Sequence, residues 1–147
     1  MLHAARARPD LAQLWLTRAV REEISAAPGC GLWFGAPAIA FAVRAAGDHR
    51  YPAAAQQLRR ALATITQRRL AAATARIDAA DRPSLSEFDL VRGLTGLGAH
   101  LLQHRSDHEM ADLLRSVLVY LVRLAEPLSA RDHCGHEIGH EIPGWWT

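Results

Sequence analysis

Apolar positions recur along this chain in steps of three and four, the period of a helix face. Leu11, Leu14, Trp15 and Ala19 share one such face, and Asp10 with Gln13 makes a capping box, so a helix is expected from Asp10 to about Ala26. Ala27-Pro28-Gly29-Cys30-Gly31 then turns the chain. A second helix is expected over Ala36–Ala46, with Pro37 tolerated in its first turn and Gly47 after its end. From Pro52 to about Ala79 the sequence is alanine-rich and strongly helical, with Leu58, Leu62 and Ile65 on one arc. Its arginines (Arg59, Arg60, Arg68, Arg69 and Arg76) spread around the helix, the mark of a solvated outer face. Asp81-Arg82-Pro83 ends this element. Ser84 with Glu87, or Ser86 with Asp89, opens a helix expected to continue to about His104, and Ser106 with Glu109 opens another to about Ala125. In that last helix Met110, Leu113, Leu114, Val117, Leu121 and Leu124 lie opposite Asp112, Arg115 and Arg123, the cleanest amphipathic pattern in the chain. Glu126-Pro127 stops it, and the residues from Ser129 onward are polar and rich in histidine and glycine. No segment reads as a convincing strand, so the expected class is all-α.

The stretch Phe88-Asp89-Leu90-Val91-Arg92-Gly93-Leu94-Thr95-Gly96-Leu97-Gly98-Ala99-His100-Leu101-Leu102 organises the rest. Each of its three glycines costs a free helix about 1 kcal/mol relative to alanine. A run that keeps them needs close backbone packing or room for a ligand. Gly31-Leu32-Trp33-Phe34-Gly35-Ala36-Pro37-Ala38-Ile39-Ala40-Phe41-Ala42 has the same character. Aligning Gly35 with Gly93 gives an internal repeat of about 58 residues, each unit a small-residue helix followed by an amphipathic one. The units lie near 31–80 and 84–127 of what reads as a single domain over 1–147. Ile24 to Val43 carries no charge and is long enough to span a bilayer, but prolines and glycines interrupt it. A buried inner helix is the expected form, with no membrane span.

Composition narrows the class without naming a chemistry. Half of the 147 residues are hydrophobic and 22% charged, which is globular. Lysine and asparagine are absent while alanine and arginine are abundant, the imprint of a GC-rich genome. The arginines are therefore not evidence for phosphate binding, and a net charge of +2 does not argue for nucleic acid. Cys30 and Cys134 form no CxxC motif, and the N-terminus does not read as a secretory signal, so a reducing cytoplasm is the expected setting.

His136-Glu137-Ile138-Gly139-His140 matches the HExxH of zinc metallopeptidases, a motif that works only on a helix. Gly135, Gly139 and Pro143 oppose a helix, and Gly-His-Glu-Ile occurs twice in succession, so an exposed loop is the expected reading. His133, Cys134, His136 and His140 could hold a metal adventitiously, and His100 with His104 at i and i+4 could form half a site. Asp89 is the residue of most interest. It reads either as an acid in the first turn of a helix or as a carboxylate at the mouth of a cavity lined by Gly93 and Gly96, placed to orient or deprotonate a substrate.

Phe88-Asp89-Leu90-Val91-Arg92-Gly93-Leu94-Thr95-Gly96 resembles a repeat signature of the lanthionine synthetase C (LanC-like) cyclases, and Gly31 to Phe41 resembles the preceding repeat of that family. Leu118 to Leu128, followed by Pro143-Gly144-Trp145-Trp146-Thr147, is similar to its bacterial members. The resemblance covers nearly the whole chain from Gly31 and rests on the order and spacing of these motifs. It implies tandem helical hairpins forming part of an α/α toroid, with glycine-rich helices on the inner ring. It also implies lanthipeptide (lantibiotic) biosynthesis, in which a cysteine thiol adds to dehydroalanine or dehydrobutyrine to close a thioether ring. In the family zinc held by two cysteines and a histidine activates that thiol, and Asp89 corresponds to the family's active-site aspartate. The family continues past this point into a histidine-glycine motif and its zinc ligands, so the chain resembles the N-terminal part of a cyclase, with an incomplete ring. Expected from this are Asp89 as the catalytic residue, no cofactor or metal site in this chain, and no ring closure by the chain alone. The partners implied are a lanthipeptide precursor, a dehydratase or a complementing C-terminal half, and a second copy, since an incomplete ring leaves apolar faces unpaired. A helical-repeat module that holds a peptide or partner enzyme without catalysis is the alternative.

Overall fold

The structure, a computed structural model, describes residues 8–21, 24–27, 29–131 and 137–146. Among the described residues there are six helices where five were expected: α1 (Pro9–Arg21), α2 (Ala36–Ala46), α3 (Pro52–Asp78), α4 (Leu85–Phe88), α5 (Leu94–Leu102) and α6 (His108–Ala125). A single 3₁₀ turn, Asp48–Arg50, joins α2 to α3. No helix among the described residues is long and apolar enough to cross a membrane.

The all-α class therefore holds for the body of the chain, and the repeat is visible in it. Gly35 and Gly93, the two glycines aligned in the sequence, are the N-caps of α2 and α5. Each short, small-residue helix leads into a long one, α2 into α3 and α5 into α6, and the partners of each pair pack together. The long helices also pack on each other and the short ones touch, so the two hairpins share one core. Leu58, Leu62, Leu94, Leu97, Leu101, Met110, Val43 and Val117 fill it. The inward faces of α3 and α6 are those that the periodicity marks: Leu58, Leu62 and Ile65 on one, Met110, Leu113, Val117 and Leu124 on the other.

Five local expectations fail, each for a stated cause. The helix expected from Ser84 or Ser86 to His104 is broken at Asp89, whose side chain captures the backbone N–H groups of Val91 and Arg92 at 2.6 and 2.5 Å. Those amides turn toward the carboxylate, and the helix restarts only at Leu94. The N-cap of α6 is Asp107, not Ser106; its Oδ1 accepts from Glu109 and Met110 N–H at 3.1 and 3.4 Å. α1 stops at Arg21, and its expected inward face is turned out, with Leu14 and Trp15 each 62% exposed while Leu16 packs on the core. The arginines of α3 are not all solvated: Arg59 pairs with Asp48 at 3.8 Å and Arg76 with Glu87 at 2.6 Å, while Arg69 donates to the Arg92 carbonyl. Last, Pro127–Arg131 and Glu137–Pro143 form an antiparallel hairpin, β1 and β2, pairing Pro127 with Pro143 and Leu128 with Ile142. Its glycine-broken polar composition hides any alternation.

Candidate functional site

The two glycine motifs meet at the N-terminal ends of α2 and α5. Gly31 and Phe34 exchange backbone hydrogen bonds at 3.1 and 3.0 Å, closing a tight turn. That turn lies against the loop after Asp89 so closely that a β-carbon on Gly31 would stand 2.7 Å from both the Arg92 Cα and the Val91 carbonyl oxygen. A β-carbon on Gly96 would strike the Leu90 carbonyl and come within 3.2 Å of Leu32 Cβ. Gly31 therefore serves backbone-to-backbone contact between the two repeats, while Gly93 and Gly96 let the Asp89 loop fold back on its own helix and Gly96 also admits Leu32. Of the two roles their pattern allows, a lining for a ligand cavity is not the one the structure places at Gly93 and Gly96.

Asp89 sits at the centre of this contact. Its Oδ1 accepts from the N–H groups of Val91, Arg92 and Gly93, the last at 3.3 Å, and Thr95 Oγ1 donates to the Phe88 carbonyl at 2.5 Å to close the loop from the other side. No partner among the described residues bonds to Oδ2. Burial pushes the carboxyl pKa up, but the bonds from Arg92, Val91 and Gly93 and the nearby Arg92 charge outweigh it, so the group lies below the usual carboxylate range. It is an anion at neutral pH. Arg69, reaching up from α3, holds the loop through the Arg92 carbonyl. Burial lowers the Arg69 pKa from its ordinary value, and the charge of Asp89 opposes that most strongly. Periodicity could not single out Arg69 among five arginines on one helix.

Beside the loop is a cavity of ≈ 320 Å³ lined by Ser25, Cys30, Phe34, Gly35 and Arg92 among others. The Arg92 guanidinium stands 5.7 Å from the Phe34 ring centroid, a cation–π contact at its rim. Cys30 is buried, and its thiol donates to the Ser25 carbonyl at 3.2 Å. On α4, Glu87 accepts from Arg76 at 2.6 Å and from the Tyr120 hydroxyl at 2.8 Å, tying α4 to both long helices. Burial, then the bond to Glu87, raises the Tyr120 pKa, so the phenol stays protonated.

The histidine motifs fare differently. Glu137 to His140 lie in strand β2, and the helix that a zinc-peptidase HExxH requires is not formed there. His133, Cys134 and His136 lie outside the described residues. His100 on α5 and His104 in the turn after it do come together, but as a stack, with ring centroids 5.3 Å apart and planes 14° apart. Phe41 of α2 presents its edge to His100 at 6.0 Å. Neither ring nitrogen of His100 has a hydrogen-bond partner among the described residues. No third His, Cys, Asp or Glu joins the pair as a ligand among the described residues.

Compared with family models, with curated proteins and with solved structures, the chain matches none of them.

Proposed function

We propose that this chain is a LanC-like protein of lanthipeptide biosynthesis that presents Asp89 to a dehydrated precursor peptide and closes no ring on its own. The observation that carries the proposal is the Asp89 loop: an ionised carboxylate at the head of a glycine-rich helix, one oxygen fixed by three backbone N–H groups and the other unbonded. Paired short and long helices with glycine N-caps support the toroid reading, in which α2 and α5 belong to the inner ring and α3 and α6 to the outer. A carboxyl whose pKa is held down is a poor proton donor at neutral pH. Its role in this proposal is to orient the peptide and to stabilise a protonated acid supplied from elsewhere.

The family's zinc does not fit the residues at hand. Cys30 is buried and bonded to Ser25, with no His or Cys beside it as a second ligand among the described residues. The thiolate chemistry of the reaction is accordingly assigned to a complementing C-terminal half and not to this chain, and a precursor peptide and a dehydratase are its proposed partners.

One observation favours the alternative of a peptide-holding module without catalysis: Oδ1 of Asp89 is fully used in shaping its own loop. Asp89→Asn separates the two readings, because the amide oxygen keeps all three loop bonds while the charge is lost. Mixed with a zinc-loaded C-terminal half of a family cyclase and a dehydrated precursor, the wild-type chain should consume alkylatable thiol, read by mass spectrometry. Asp89→Asn should slow this by about a hundredfold or more without a change in melting temperature. Binding of a fluorescent precursor with no thiol consumed in any mixture would leave only the holding role. No binding at all would overturn both.

A further inference from the structure

The buried stripe of α6, which includes Met110, Val117 and Leu124, faces α3 and α5. Half a turn away, the outward face of such a helix should be polar. Instead Leu118, Val119 and Val122 are 53%, 55% and 65% exposed. The line furthest from the core reads Arg115, Val119, Val122, Glu126, spaced by about four, three and four residues, with Leu118 and Ala125 alongside. A cation stands at one end, paired on its own helix with Asp112 at 2.7 Å, an anion at the other, and two valines between.

That order is self-complementary in one orientation only. When two such helices lie antiparallel, Val119 faces Val122 of the second copy, Leu118 lies against Ala125, and Arg115 faces Glu126 twice over by symmetry. Parallel, each charge would face its own like. We infer that two copies of this chain associate through the outward face of α6, antiparallel about a twofold axis. The Gly144 N–H donates to the Glu126 carbonyl at 3.1 Å, which brings the exposed Trp145 and Trp146 to the same end of α6. The exposed apolar side chains amount to a few hundred Å² per copy, short of the roughly 800 Å² per partner of a standard interface. The dimer is therefore a weak one, with a dissociation constant on the order of micromolar. It does not rest on any ring-closing activity, since none of its residues belongs to the Asp89 loop, which precedes α5.

Sedimentation equilibrium of the full chain between about 1 and 200 µM should show a reversible monomer–dimer equilibrium. Val119→Arg, at the centre of the stripe, should weaken it more than about tenfold. Arg115→Glu and Glu126→Arg should each weaken it, and the double variant should return to within about threefold of the wild type, because swapping both ends rebuilds both pairs. All three positions face solvent, and unchanged melting curves would show that the variants fold. A monomer across the whole range, a dimer indifferent to Val119→Arg, or a double variant no tighter than the singles would overturn the inference.

Discussion

His100 is fully buried on α5, stacked on His104 and walled by Phe41, and neither of its nitrogens has a partner among the described residues. Burial, then the positive charge that His104 would carry, lowers its pKa to about 4. The unfolded chain keeps a histidine pKa of about 6.5. Between those two values the unfolded state binds a proton that the folded state refuses, so stability rises with pH there. The contribution is fully present above about pH 6.5 and is lost as pH falls toward 4. From pH 7.5 to pH 5 this one group should remove about 2 kcal/mol, and over the whole interval about 3 kcal/mol. The other charged groups around it modify the slope without reversing it. The pKa of His104 is also lowered, by burial and by Arg44, while Asp48 opposes the shift in both rings.

His100→Leu removes both the titration and the two unpartnered nitrogens. Relief of those atoms should stabilise the variant at pH 7.5 by about 1–3 kcal/mol, less whatever leucine loses by fitting a space shaped for an imidazole. Its advantage should then grow by about 2 kcal/mol at pH 5, because only the wild type declines through His100. Urea unfolding followed by circular dichroism at pH 7.5, 6 and 5 measures both quantities. Parallel pH profiles for wild type and variant would refute the reasoning. A variant markedly weaker at pH 7.5 would mean that the ring nitrogens are bonded in solution, to water or to a ligand.

Two further predictions separate structure from pattern. Gly31→Ala sets a methyl against backbone atoms of Val91 and Arg92, which cannot rotate away, and should lower stability by about 1–3 kcal/mol in urea unfolding; Gly29→Ala, with open space at the same test position, should leave it nearly unchanged. Asp107→Ala should cost about 1 kcal/mol by leaving the first amides of α6 uncapped, whereas Ser106→Ala should cost little, and equal losses would restore the cap that the sequence suggests.

The parts of this fold that were legible are those fixed by periodicity. A helix that packs on one side must repeat its apolar residues every three or four positions, so α3 and α6 show their buried faces in the sequence. Gly35 and Gly93 were legible as an aligned pair, because a repeat brings the same local problem twice, but not as N-caps, since Gly93 was expected inside a helix. What stayed hidden is decided by competition over backbone hydrogen bonds. Asp89 lies in a run whose pattern is helical on both sides, and no periodicity records that its carboxylate will take three amides from the helix. Ser106 and Asp107 are both good caps, and only the path of the chain chooses between them. Leu11, Leu14 and Trp15 show the reverse failure: a regular apolar face that the hairpins leave exposed.

The candidate site follows the same division. Small residues at helical spacing announce that something comes close, yet they do not say whether it is a ligand or another length of backbone. Here it is backbone: the turn from Gly31 to Phe34 and the loop from Asp89 to Gly93 fill the space that each leaves beside the other. The contact needs both repeats at once, which no reading of either motif alone provides. It also explains why Arg69 belongs to the site. The Arg92 carbonyl lies against Gly31, in the loop between α4 and α5, and a carbonyl there needs a donor. The long helix of the first repeat passes beneath that point and supplies one from a side chain whose sequence neighbours, Arg68 and Leu70, give no hint of it. Asp89 and Arg69 are thus set by one event, the docking of the two hairpins, and a substitution that loosens that docking should disturb both before it unfolds either helix pair.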